Sequence, residues 1–324
     1  MMNKNIEVSV IIPVYNEEKY IDQCVTSLTK QTYSSENIEW LFIDGGSNDK
    51  TVDKIIHYNL RNCRILHNDK RIVTYALNIG VENAVGKYII RMDAHAEYSE
   101  DYIEKCVYYL KTTNADNVGG VAITKGKGFI GEANSEILSS KFGVGNSSFR
   151  TENRSGYVDT VPFGAFRREI FDEVGLFNPE LPRSEDNDFN SRIRAKGGKV
   201  FLSSDIKFTY YCRNTAGGLL EQAIKNGNAL FLTLKKNPKA MSLRHYIPFL
   251  FVLSLIVMPI LSIFFSLALW SFIAECVLYL SIDFYFSLFK GNKKFALYKF
   301  TMYPLFHAVY GLGSIIGMLG IKLY

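Results

Sequence analysis

The sequence predicts an α/β fold: a mostly parallel sheet with flanking helices, followed by a C-terminal membrane-helix region. Three observations predict it. Up to about residue 120, apolar strand-like runs alternate with stretches of helical periodicity. Asn16, Asp44 and Asp93 fall at or just past the ends of three of those runs. Near Met241 a charged, globular composition gives way to an almost wholly apolar one.

The elements follow in order. VSVIIPV (8–14) reads as the first strand. EEKYIDQCVTSL reads as a helix, with Ile21, Val25 and Leu28 on one face and Asn16 as its N-cap. WLFID (40–44) is the second strand; it ends in GGSND, and a helix starts at about Thr51. CRILH (63–67) is the third strand, with TYALNIGVENAV as the helix after it. KYIIRMD (87–93) is the fourth strand, followed by a helix from about Ser99, and NVGGVAI (117–123) is the fifth. Such alternation implies right-handed crossovers and a sheet covered on both faces. Ligands then bind at the carboxyl ends of the strands. Asn and Asp are common in turns, so any one of the three polar residues also reads as turn chemistry. Three at equivalent positions favour one shared crevice.

Residues 124–165 are rich in Gly, Ser and Asn and read as a mobile or insertion-like region able to fold over that crevice. VFLSS (200–204) is a later strand. The composition break divides the chain into a domain at 1–240 and a membrane region at 241–324. Residues 246–289 hold two charges, Glu275 and Asp283. Roughly 20 helical residues cross a bilayer core of about 30 Å. About three helices are therefore expected, near 247–267, 271–289 and 301–320, with a tight turn near Ser266–Ser271 between the first two. Helices lying in the interface, or a re-entrant hairpin, are the alternative. Glu275 and Asp283 should face a neighbouring helix or the headgroups.

The balance of 37 Lys and Arg against 32 Asp and Glu gives a net charge of +5, which does not by itself suggest nucleic acid. Basic residues gather beside the apolar segments, at Lys235, Lys236, Lys239 and Arg244, then at Lys290, Lys293, Lys294 and Lys299. That placement suits an anionic membrane surface and a cytoplasmic side for both clusters. The expectation is a multi-pass protein of the cell membrane with a cytoplasmic catalytic domain. Five scattered cysteines, with no Cys-x-x-Cys pair, fit a reducing compartment.

Two stretches carry candidate chemistry. In RMDAHAE, Asp93 and His95 stand two apart on an extended segment and point to one side. A carboxylate and an imidazole can hold a divalent ion, with a diphosphate supplying further ligands. Strand-end turn chemistry for Asp93 and a surface role for His95 is the other reading. In SEDNDFNSRIRAKGG, Glu185, Asp186 and Asp188 crowd a helix start, with Arg192 and Arg194 close enough to help. A carboxylate so held is a fair general base for a hydroxyl. An acidic first turn with i,i+4 ion pairs is the other reading.

As a whole, the pattern resembles the inverting glycosyltransferases of family 2. The marks are SVIIPVYNEEKYIDQCVTSLTKQTY, FIDGGSNDKT, RMDAHA, FGAFRREIFDEVGLFNPEL and SEDNDFNSRIRAKG, over roughly residues 7–200. RMDAHA followed by a membrane segment looks most like the succinoglycan-type glucosyltransferases of exopolysaccharide assembly. The resemblance implies a GT-A (Rossmann-like) fold and a nucleotide-sugar donor such as UDP-glucose. It implies that Pro13, Tyr15 and Glu17 line the uridine pocket and that Asp44 holds the uracil. It sets Asp93 on the family's metal-binding Asp-x-Asp motif, for Mn²⁺ or Mg²⁺, and Asp186 on its catalytic base. Glu185, Arg192 and Arg213 are further candidates for substrate binding, Arg213 towards the diphosphate. Two departures stand out: Gly45 replaces a second Asp, and His95 replaces the second carboxylate of Asp-x-Asp. The Gln-x-x-Arg-Trp signature of processive synthases is absent, since the tryptophans are Trp40 and Trp270. One sugar is then added per encounter, to a lipid-linked saccharide. A polyprenyl-phosphate sugar transferase of the dolichyl-phosphate type is the alternative.

Overall fold

The strands, in chain order, are β1 (Val8–Val14), β2 (Ile38–Asp44), β3 (Cys63–His67), β4 (Tyr88–Arg91), β5 (Ala96–Tyr98), β6 (Asn117–Lys125), β7 (Gly156–Tyr157), β8 (Ala165–Arg167) and β9 (Val200–Tyr211). They come from a computed structural model that describes residues 6–151, 154–181 and 183–323. All nine join one sheet of order β3-β2-β1-β4-β8-β6-β9-β5, with β7 paired to β9.

β1 and β2 are near-continuous apolar runs because both faces of this part of the sheet are covered; Val8, Val10, Ile12, Leu41 and Phe42 have no exposed surface. The helices Ile21–Thr29, Thr51–His57 and Val73–Asn83 alternate with them. Gly80 lets the last of these sit directly on β1: a Cβ there would lie 2.4 Å from the Ile11 Cγ2. The pairs β1–β2, β2–β3 and β1–β4 are parallel.

The sheet is otherwise mixed rather than mostly parallel. β8 runs antiparallel to both β4 and β6, so it fills the gap left by the β4–helix–β6 crossover. β5 and β7 pair antiparallel with β9. These inserted strands have two or three residues, too few to show a period in sequence. Two local expectations also change. The first helix begins at Ile21 after Tyr20, and Asn16 does not cap it. The fourth strand stops at Arg91, so Asp93 and His95 stand in the turn before β5.

Contacts divide the chain elsewhere than at Met241. One compact unit is 1–123 with 152–211; the other is 124–151 with 212–324. In the second unit, residues expected to be irregular form the helices Gly128–Leu138, Lys141–Val144 and Ser148–Thr151. The helix Ala216–Lys236 packs along Ala296–Met318. Glycines make that approach close: a Cβ on Gly313 would stand 2.2 Å from the Ile224 carbonyl oxygen.

Among the described residues, two helices are long and apolar enough to cross a membrane, Leu243–Ser262 and Ser266–Phe289. Leu250, Ile256, Ile260, Trp270 and Leu278 leave large apolar surface uncovered on them, which points to membrane association. The break between them falls at residues 263–265, before the expected Ser266–Ser271. Glu275 accepts from Ser254 Oγ at 2.5 Å, and Asp283 is buried and accepts from Ser287 Oγ at 2.9 Å, so both face protein. The third expected span is Ala296–Met318, and it is not one of the two. It is occupied by protein contacts, and Lys299, 1% exposed, pairs with Glu136 at 2.8 Å. A three-span, multi-pass arrangement is therefore not supported.

Candidate active site

Two groups of loops leave the carboxyl edge of the parallel strands and build the site. The first follows β1 and β2. Pro13 interrupts nothing, because pairing of β1 with β4 ends at Ile11–Arg91 while pairing with β2 runs on to Val14–Asp44. Asn16 turns the chain with a left-handed φ of 53°. Its side-chain oxygen accepts from the Asn48 N–H at 2.9 Å, and its own N–H donates to Ser47 Oγ at 2.9 Å. Asp44 accepts from the N–H groups of Gly46 and Ser47, both at 3.1 Å, and from Ser47 Oγ at 2.7 Å. Its carboxylate is thus engaged by its own loop. Tyr15 is exposed, with the Arg71 guanidinium 5.4 Å from its ring centre. A Cβ on Gly45 would lie 3.3 Å from the exposed Tyr15 ring, a tight approach that a small shift of that side chain would relieve.

The second loop follows β4. Asp93 is held by its backbone, whose N–H donates to the buried Tyr98 hydroxyl at 2.6 Å. His95 lies between two carboxylates, with Nδ1 3.3 Å from Glu17 Oε1 and Nε2 4.0 Å from Asp93 Oδ2. Glu17, expected in the uridine pocket, therefore meets His95.

The helix Glu185–Ala195 brings the third segment. Its first turn follows Ser184 in a left-handed conformation, with φ 64°. Phe189 fixes its other face, stacked 4.5 Å from Phe177 and edge-on to Phe166 at 5.3 Å. Buried Asn190 donates to Thr160 Oγ1 at 2.9 Å and to the Val161 carbonyl at 3.1 Å. So anchored, the helix delivers Glu185 and Asp186 to Arg91. The Arg91 guanidinium lies 2.8 Å from Asp186 Oδ1, 2.9 Å from Glu185 Oε1 and 3.4 Å from Asp93 Oδ1.

Burial, with Glu185 and Asp93 nearby, pushes the Asp186 carboxyl up to about 7 although Arg91 pulls it back. Burial works against the charge of Arg91, but the three carboxylates more than offset it and raise its pKa well above the usual value. A carboxylate poised near neutrality suits proton abstraction from a hydroxyl.

One expected contributor turns away from this cluster. Arg192 does not hold Asp186: it pairs with Asp188 at 3.0 Å and donates to the carbonyls of Val174 and Leu176. Its spacing from Asp188 is i,i+4, which turns it to the helix's other side. Arg213 belongs to the second unit, exposed in the turn before Ala216–Lys236, where its carbonyl accepts from Asn134 Nδ2 at 2.7 Å. Arg91 and Arg71 are the residues that sequence reasoning passed over. Arg91 had a signal: it stands two before Asp93, at the end of an otherwise apolar strand.

The profile of glycosyl transferase family 2 matches residues 9–175. The chain is 31% identical over 239 residues to the dolichyl N-acetyl-alpha-D-glucosaminyl phosphate 3-beta-D-2,3-diacetamido-2,3-dideoxy-beta-D-glucuronosyltransferase of Methanococcus voltae, covering 71% of this chain and 74% of that one. It is 28% identical to the succinoglycan biosynthesis protein ExoA of Rhizobium meliloti, over 74% and 73% of the two chains. The mannosyltransferase PcManGT of Pyrobaculum calidifontis, solved with GDP-Man and Mn²⁺, superposes with a TM-score of 0.62 at 16% identity, over 97% of this chain and 87% of that one. That likeness shows the GT-A fold. With half the chain matched by the family profile and a relative above 30% identity, this protein belongs to glycosyl transferase family 2 and is a glycosyltransferase.

Proposed function

We propose that the enzyme transfers one sugar, with inversion, from a nucleotide-sugar to a lipid-linked saccharide at a membrane surface. The donor is a UDP-hexose such as UDP-glucose, and the setting is exopolysaccharide or capsule assembly. The observation that carries the reading is Asp186, a carboxylate shifted to about 7, sharing one buried arginine with Asp93 at the carboxyl edge of the sheet. The two relatives named above act in lipid-linked sugar and polysaccharide assembly by their names, which supports the acceptor class.

Asp186 takes the proton of the acceptor hydroxyl. The freed oxygen bonds to the anomeric carbon as the bond to the diphosphate oxygen breaks on the opposite face, giving inversion in one step. Glu185 and Asp186 both face Arg91. Tyr15, Pro13 and Asp44 belong to the donor side, with the nucleobase against Tyr15.

The residues fit a divalent cation, though not a closed protein cage. Among the described residues no group of three or more ligating side chains is preformed. Asp93 and His95 would be its protein ligands, their nearest atoms, Oδ2 and Nε2, facing each other at 4.0 Å. The diphosphate would complete the set. Such an ion would neutralise charge on the departing diphosphate.

The two apolar helices would hold the catalytic unit at the cytoplasmic face, where a lipid-linked acceptor is locally concentrated. The test is a nucleotide-sugar panel with membranes and short lipid-linked acceptors, read by mass. An extended lipid-linked saccharide is expected. A sugar-phosphate lipid as product would instead establish the polyprenyl-phosphate reaction.

A further inference from the structure

We infer that Arg91 is the positioning residue of the transfer reaction. It aims the Asp186 carboxylate and ties it to the donor-side Asp93. The inference rests on the proposed role of Asp186 as base.

The geometry is specific to a guanidinium. Arg91 ends β4 and lies 6% exposed by side chain. Its NH1 donates to Asp186, 95 residues away in sequence, and lies 2.9 Å from Glu185. Its Nε and NH2 both reach Asp93 Oδ1, each at 3.4 Å. The guanidinium carbon stands 5.5 Å from the Phe163 ring centre, so the plane is braced from one side. One planar, multi-donor cation thus joins two segments that are far apart in sequence. A lysine brings the charge but not the fork.

The carboxylates cannot arrange themselves without it. Asp93, Glu185 and Asp186 are all largely buried, with side-chain exposures of 16%, 12% and 21%. Three like charges in so small a volume repel. Without Arg91 the first turn of Glu185–Ala195 would have no cation holding Asp186. The helix would remain, because Phe189 and Asn190 hold it from its other faces. The expected defect is therefore in aim, not in fold.

The same chemistry predicts which kinetic constant falls. The close contacts, 2.8 and 2.9 Å, are on the base side, and the donor-side contacts are the long ones. Losing them should reduce turnover more than donor binding. A misplacement of about 1 Å at a reacting group costs on the order of 10²-fold in rate.

The experiment uses the full-length protein in membranes or detergent, with Arg91→Lys, Arg91→Met and Arg91→Ala, beside wild type and Asp186→Asn. Wild type must show transfer first; failure at that step rejects the proposed function and not the role of Arg91. Expected are kcat values lower by about 10² for Arg91→Met and Arg91→Ala, and an intermediate loss for Arg91→Lys. Donor KM should stay within about threefold and the thermal midpoint should show a folded protein. Added guanidinium, but not an equal concentration of sodium chloride, should restore part of the turnover of Arg91→Ala. A folded variant with unchanged kcat overturns the inference. So does a loss that lies wholly in donor KM. If Arg91→Ala and Arg91→Met do not fold, Arg91→Lys decides: turnover equal to wild type overturns a role that needs the guanidinium fork.

Discussion

Two loops leave the same edge of the sheet and treat their carboxylates in opposite ways. After β2, Asp44 is satisfied within four residues by the Gly46 and Ser47 N–H groups and the Ser47 hydroxyl. After β4, Asp93 shares one arginine with Glu185 and Asp186, and the Asp186 carboxyl is pushed up to about 7. The first loop is a finished cradle. The second holds more negative charge than its one arginine can neutralise, which fits the proposed uptake of a cation and a proton there. Stability and activity should therefore separate between the loops.

The largest effect should come from Asp93→Ala, which removes the carboxylate on the donor side. No transfer is expected at any metal concentration. Activity of the wild type undiminished in EDTA would sink the metal role of Asp93 and His95 together.

Asp186→Asn should lower kcat by about 10²–10⁴ while donor affinity, by calorimetry, stays near wild type. A variant that keeps over half of wild-type turnover would remove Asp186 from the role. The raised carboxyl sets two pH trends of opposite sign. The base must be ionised, so kcat/KM should climb with pH to a plateau, with a midpoint near 7. A carboxyl raised in the folded state stabilises fully below its unfolded value, about 3.9, and that contribution is lost as pH rises through about 7. Thermal midpoints in EDTA should accordingly fall between pH 5 and pH 8, and Asp186→Asn should flatten the fall. An equally steep fall in the variant would assign it to other groups.

The satisfied loop predicts the reverse. Asp44→Ala orphans two N–H groups and a hydroxyl, and should lower unfolding free energy by about 1–3 kcal/mol in urea. Glu185→Gln, which removes one charge from the crowded loop, should leave stability unchanged or raised. If Glu185→Gln costs more than Asp44→Ala, the contrast between the loops is wrong.

What could be read in sequence follows the length of the signal. β1, β2 and β4 are mostly apolar runs of four to seven residues, and their ends placed Asn16, Asp44 and Asp93 on one edge. β5, β7 and β8 are too short to carry a period, so the mixed half of the sheet was invisible. The helix Ala296–Met318 is apolar enough to suggest a span, but its glycines and Lys299 serve contacts with protein, which composition cannot distinguish from lipid. At the site, Asp186 was legible as one of a carboxylate cluster, whereas its partner was not. Arg192 was near in sequence and Arg91 is near in space. Local spacing reports only i,i+4 neighbours, and the cation that matters arrives from another strand.

The smallest effect should separate His95 from Asp93. The imidazole faces Asp93 Oδ2 through Nε2 and Glu17 through Nδ1, so its second nitrogen has an orienting partner, as metal-bound histidines usually have. A histidine in place of a carboxylate removes one negative charge and one hard oxygen. Mg²⁺ prefers oxygen ligands, while imidazole suits transition metals better. Wild type should then work at least as well with Mn²⁺ as with Mg²⁺. His95→Asp should stay active and shift its preference towards Mg²⁺. His95→Ala should weaken metal dependence without abolishing transfer, and Glu17→Gln should weaken it less, since Glu17 meets the imidazole at Nδ1. The readout is the activating concentration of each metal, with Mn²⁺ binding followed directly by electron paramagnetic resonance. Variants of His95 that match wild type in both would leave Asp93 as the only protein ligand and reduce His95 to turn chemistry after the strand.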